Sequence, residues 1–275
     1  MRSPSDTTAA NGFMQMGRSE RLHCGRWLST YAALAYLFLH LPLVILMVFS
    51  LNDSRFTVWE GFSLRWYAEA LRDQELMEST LNSLIVAIAA TTLATVAGTL
   101  CAYALWKRAS RWIAVGLAIS LVTPEIVMGI SLLAFFQWIF RHFDFRLGMH
   151  TVVLAHVMFS VVYVVTVVLA RLRTMDPSLE EAAMDLGATG WQAFRHVTLP
   201  LIAPAVGAAA LLAFTISFDD YVITSMVAGV DSQTLPMALY AMARRGANPV
   251  VNAISTLIVA LIGMLILVSE RLRQR

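Results

Sequence analysis

The sequence predicts an all-α membrane protein with six transmembrane helices. Of its 275 residues, 58% are hydrophobic and only 14% are charged. The apolar residues gather into six runs, each near the ~20 residues needed to cross a hydrocarbon core of about 30 Å. A mean hydropathy of +0.68 would leave a water-soluble domain too much apolar surface to hide. The same composition excludes disordered chains, collagen-like repeats and disulfide scaffolds, since Cys24 and Cys101 stand alone. The runs are unbroken, unlike the ~10-residue alternating segments of a membrane barrel.

Taken in order, residues 1–26 read as a polar tail carrying Arg18, Arg21 and Arg26. The charge-free run 27–52 is the first span. It exceeds the roughly 7–15 apolar residues of a signal peptide and lacks a small-x-small cleavage site after it, so it reads as a permanent anchor. Residues 53–78 form an outer loop. The second span is 79–106, and the third, 112–140, is broken once by Glu125. The fourth is 147–170; the fifth, 197–218, continues past Asp219 and Asp220; the sixth is 246–269. With the N-terminus inside, 13 Arg/Lys lie on the inner side and seven on the outer. That bias places both termini in the cytoplasm. Ala90, Ala94, Gly98 and Ala102, then Ala205, Ala209 and Ala213, recur every fourth position. The stripes are either seams for close helix packing or simple Ala richness.

Several chemistries are excluded. The sole Lys, Lys107, is not preceded by the Gly-rich run of a P-loop, so the chain carries no ATPase site of that kind. A net charge of +2 without a basic patch gives no case for nucleic acid. The six His include no His-x-x-x-His pair, and neither His-Glu-x-x-His nor Gly-x-Ser-x-Gly occurs. No catalytic, metal or cofactor site is expected in the chain. His156, alone in the fourth span, reads as a packed, hydrogen-bonded side chain.

The inner loop 176–200 is the most informative stretch. Ser178 with Glu181 matches a capping box, and Leu179, Ala182, Ala183 and Leu186 fall on one apolar face. The opposite face presents Glu180, Glu181 and Asp185. Gly187 is placed to end this helix in a left-handed conformation. Thr189 with Gln192 opens a second short helix, which Leu199-Pro200 closes. An acidic polar face suits an anionic leaflet poorly and a basic protein groove well.

Glu181-Ala182-Ala183, three residues, Gly187, nine residues, Val197, one residue, Leu199-Pro200 resembles the EAA loop of binding-protein-dependent ABC importer permeases. That family usually has Ile where Val197 stands. The resemblance covers about residues 79–270 and implies a type I importer fold in a bacterial inner membrane. It implies that the loop docks on a separate cytoplasmic ATP-binding subunit dimer, which binds the ATP. Glu181 would be the polar contact, Ala182 and Ala183 the packing surface, and Gly187 the turn. A second permease subunit and a periplasmic substrate-binding protein are the further implied partners, beside membrane lipids.

Ionisable residues inside spans are costly and mark functional candidates. Glu125 follows Pro124 in the third span, and Asp219, Asp220 and Tyr221 follow Phe218 in the fifth. On straight helices Glu125 would lie about 20 Å from the inner end and Asp219 farther still, both in the outer half. Paired acids repel unless a cation is present, so a small organic dication would suit them. Tyr221, Phe218 and Trp138 could add cation–π attraction. The alternatives are that Glu125 satisfies backbone freed by Pro124, and that Asp219 or Asp220 caps a broken helix. Both segments, with the outer-loop stretches 49–55 and 59–67, are similar to the polyamine branch of the permease family. That likeness implies a permease subunit for spermidine or putrescine. The rival readings are a self-contained secondary transporter or channel for a small cation, and an ABC permease for another small solute.

Overall fold

A computed structural model describes residues 5–55, 58–142, 146–246 and 248–273. Among these residues the chain is helical, with one isolated antiparallel bridge, Asn52 to Phe62, and no strand. Four helical stretches are long and apolar enough to cross a membrane: Trp27–Phe49, Gln74–Lys107, Met149–Leu172 and Gly190–Asp219. The protein is a multi-pass membrane protein. The chain divides into two units, one of residues 1–70 with 247–275 and the other of residues 71–246.

In the first unit, α1 (Ser5–Phe49) begins far upstream of residue 27, so the first span is the second half of a longer helix. The side chains of Arg18, Arg21 and Arg26 lie outside the described residues. α1 packs against α12 (Pro249–Arg273), which occupies the place of the sixth span. The described apolar part of α12 is Pro249–Ala260. The loop after α1 is organised by Asn52. Its side chain donates to the Val58 carbonyl (2.8 Å) and accepts from the Glu60 amide (3.0 Å), while its carbonyl accepts from the buried Trp66 indole (2.8 Å). Trp66 opens α2 (Arg65–Arg72), and the Arg65 guanidinium lies 4.7 Å over its ring.

The second unit is built on α3 (Gln74–Lys107), α6 (Met149–Leu172) and α9 (Leu199–Asp219). Asp73 caps α3 by accepting from the Leu76 amide at 3.2 Å. Ala90, Ala94, Gly98 and Ala102 are all buried, as are Ala209 and Ala213, while Ala205 is half-buried. The stripes are therefore packing seams. They meet Val164, Val165, Val168 and Leu172 of α6. At Gly98 the approach is close enough that an added Cβ would stand 2.7 Å from the Val164 Cβ. Gly98→Leu should cost on the order of 1–3 kcal/mol through overpacking. A lowered thermal midpoint in detergent checks this, and an unchanged midpoint would refute the seam.

The third span is not a single straight helix. α4 (Arg111–Val122) and α5 (Glu125–Phe140) meet at 112°. Pro124 causes the corner: it lacks an amide donor, and its ring pushes Thr123 out of the helical region, to ψ 127°. α5 then packs on α10 (Val222–Val227), where Gly129 lets Met226 come close. Leu132, Phe136, Phe159, Ile223 and Val227 form this second cluster. The turn before α11 (Leu235–Arg244) is pinned to α3, with Asn82 donating to the Gln233 carbonyl (3.0 Å) and Ser83 accepting from the Leu235 amide (2.8 Å).

Candidate functional site

The inner loop folds into α7 (Ser178–Asp185), a tight turn, and α8 (Gly190–Ala193). Ser178 does not cap α7, and no Ser178–Glu181 box forms. Pro177 is already helical (φ −61°, ψ −25°), which makes Ser178 the first full helical residue. Asp176 takes over, its carboxylate accepting from the Ser178 amide at 3.0 Å. This bond holds the Asp176 carboxyl below the usual carboxylate range. The C-terminus of α7 is a Schellman turn: Ala188 N–H to Ala183 O (3.1 Å) and Gly187 N–H to Met184 O (2.9 Å). Gly187 has φ +93°, the left-handed conformation expected from sequence. The Thr189–Gln192 box forms, with bonds of 3.3 and 2.8 Å.

Leu199-Pro200 does not close the second helix. The chain passes from α8 through a π turn (Phe194–Thr198) straight into α9. Pro200 offers no amide to the His196 carbonyl and would clash with it in an α-helical turn. The ladder widens instead, and the Leu199 amide reaches back to Phe194 O.

The faces of α7 also differ from expectation. Leu186 is 91% exposed and Leu179 46%, with Glu181, Ala182 and Asp185 exposed and Ala183 half-buried. Trp191 of α8 adds a 61% exposed ring. Glu180, expected on the open acidic face, is fully buried. The Tyr103 hydroxyl donates to its Oε1, and the Lys107 ammonium stands 3.0 Å from its Oε2. A buried carboxylate is tolerable only with such partners. Lys107 also lies 4.9 Å over the Trp106 ring, and the Tyr103 ring packs 4.5 Å from Phe194. Sequence reading missed this group. Its signal was the single Lys of the chain, read only for the P-loop it does not make.

At the other candidate site, α9 stops at Asp219 and α10 starts at Val222. Asp220 caps α10. Its carboxylate accepts from the Ile223 amide (3.3 Å), the Thr224 amide (2.8 Å) and the Thr224 hydroxyl (2.8 Å). The His156 ring closes the network, with Nδ1 2.7 Å from Ser217 Oγ, Nε2 2.8 Å from Thr224 Oγ1, and Nε2 3.4 Å from Asp220. His156 thus ties α6 to both sides of the break. Asp219, by contrast, is exposed and has no hydrogen-bond or ionic partner among the described residues. Tyr221 packs on Tyr240, ring centres 4.3 Å apart. Trp138 does not join these aromatics; its ring pairs with His142. Glu125 is exposed at the α4–α5 corner, so the straight-helix depth does not apply to it. No bond links it to either Asp among the described residues.

A family model described as "Binding-protein-dependent transport system inner membrane component" matches residues 94–274. The chain is also 42% identical over 245 residues to the putrescine transport system permease protein PotI of Escherichia coli (strain K12), covering 86% of this chain and 87% of that one. This chain belongs to the family of binding-protein-dependent inner-membrane permeases. Another member, the spermidine/putrescine transport system permease protein PotC of Haemophilus influenzae, is 36% identical over 90% of this chain and 96% of its own. The fold is that of ABC importer permeases. A crystal structure of a bacterial ABC transporter that imports the acidic polysaccharide alginate matches with TM-score 0.65 at 16% identity, over 94% of this chain and 97% of that one. The alginate transporter in complex with its pentasaccharide-bound periplasmic protein gives 0.69 at 14%, over 93% and 94%.

Proposed function

We infer that this chain is a transmembrane subunit of an ATP-driven importer that moves putrescine- or spermidine-type polyamines across a bacterial inner membrane. The 42% identity to a putrescine permease subunit over most of both chains carries this reading. ATP hydrolysis is supplied by a cytoplasmic ATP-binding subunit dimer, a second permease completes the passage, and a periplasmic binding protein delivers substrate. Both termini face the cytoplasm, the arrangement that the Arg distribution favours.

Within this reading, Leu179, Glu181, Ala182, Ala183, Asp185, Leu186 and Gly187 form the surface on which the ATP-binding subunit seats. Leu199 and Pro200 carry its movement into α9. Asp219, exposed beside Tyr221 and without a partner among the described residues, is the residue best suited to attract a cationic substrate. Glu125 contributes charge from the α5 corner. Asp220 shapes the path from behind, its oxygens already committed to Thr224, Ile223 and His156.

Affinity capture of the tagged chain from its native membrane tests the assembly. The expected result is co-purification of an ATP-binding subunit and a second permease, together with a binding protein that retains putrescine or spermidine. Capture of the chain alone would refute it.

A further inference from the structure

The cytoplasmic end of α3 and the inner loop are joined at one buried point. Of the two adjacent acids in α7's first turn, Glu181 is exposed while Glu180 is 0% exposed. Its two oxygens meet two residues one turn apart on α3, the Tyr103 hydroxyl and the Lys107 ammonium at 3.0 Å. The Tyr103 ring simultaneously holds the other arm of the loop through Phe194, at 4.5 Å, and Phe194 packs against Trp191 at 5.3 Å. Beyond this joint α3 runs on through Leu105, Ala102, Gly98 and Ala94 into the α3–α6–α9 core.

A docking surface alone does not require this arrangement. Burying a carboxylate is costly even when it is paired, and an apolar residue of similar size would hold α7 against α3 at least as well. What an ion pair adds is a link that resists both separation and sliding, because leaving the buried Glu180 carboxylate unpaired is strongly unfavourable. The half-exposed Lys107 keeps its charge at the edge of the site, with the Trp106 face beneath it.

We propose that Lys107 and Glu180, with Tyr103, form the joint that transmits displacement of the inner loop to α3, and that Lys107 and Glu180 are positioning residues for coupling. The idea rests on the importer reading above. The loop's exposed surface receives the ATP-binding subunit; the Lys107–Glu180 pair converts its movement into movement of the helix that lines the core. Breaking the pair should therefore uncouple ATP hydrolysis from transport without releasing the ATP-binding subunit, since neither charge lies on the exposed docking face.

The test is putrescine taken up per ATP hydrolysed, measured in proteoliposomes holding the complete transporter with its binding protein. Glu180→Gln and Lys107→Met should each lower this ratio roughly fivefold or more, the range of a typical coupling free energy. The ATP-binding subunit should stay bound at wild-type stoichiometry. The exchange Lys107→Glu with Glu180→Lys should recover a large part of the ratio, and Lys107→Arg should stay near wild type. A merely structural contact would reduce the yield of assembled transporter and leave the ratio alone. Unchanged ratios in both single variants, or release of the ATP-binding subunit by Glu180→Gln, would overturn the joint. A wild-type complex in which uptake ignores ATP would overturn the importer reading and the joint together, which separates the two failures.

Discussion

Leu186→Asp combined with Glu181→Arg should abolish uptake while the protein still folds and inserts. Both side chains are exposed, Glu181 on α7 and Leu186, at 91%, in the turn that ends it. Substitutions at such positions change stability by about ±0.5 kcal/mol. Their effect must therefore act through a partner. A large apolar side chain held out at a Schellman turn, beside a carboxylate, forms the centre of a docking surface, and a buried Asp there would be left without a partner. The measurement pairs uptake with thermal stability in detergent. Loss of uptake, loss of the co-purified ATP-binding subunit and an unchanged thermal midpoint are expected. Normal uptake would remove the loop from the mechanism.

The two adjacent acids at the helix break should separate cleanly when each is changed to Ala. Asp220→Ala removes the cap of α10 and the carboxylate beside His156, leaving the Ile223 and Thr224 amides and the imidazole short of a partner. Loss of a buried acceptor of this kind costs about 1–3 kcal/mol, which appears as a lower melting midpoint and less folded protein. Asp219→Ala removes a charge with no partner among the described residues. Its stability should be unchanged, while polyamine uptake falls about tenfold, the equivalent of ~1.4 kcal/mol of lost attraction. Uptake and melting curves on both variants check the split. If Asp219→Ala transports normally, the free carboxylate has no role in the path.

These contrasts mark where one sequence suffices and where it does not. The four long apolar helices, the small-residue seams, Gly187 and the Thr189–Gln192 box depend on residues close in sequence, and their periodicity or spacing could be read directly. The α4–α5 corner was half legible: Pro124 was visible, but a proline can kink or break a helix, and only packing of α5 on α10 decides between them. Glu180 and Glu181 look alike in sequence. Their different fates depend on where α3 delivers Lys107, 73 residues earlier. Asp219 and Asp220 are likewise adjacent, and His156 in another helix distinguishes them. Long-range polar partners of this kind leave no local pattern. The π turn before Pro200 is the remaining case, since a proline at the start of a helix reads as a boundary even when the chain runs through it.

The central claim is that work enters through the inner loop from a separate ATP-binding subunit, and that this chain provides passage. The most direct measurement is labelled putrescine uptake into proteoliposomes containing the complete transporter, with binding protein outside, ATP inside, and the proton gradient set independently. The account predicts uptake that requires enclosed ATP and the binding protein and is indifferent to collapse of the proton gradient. Uptake by this chain alone, driven by the gradient and insensitive to ATP, would contradict it.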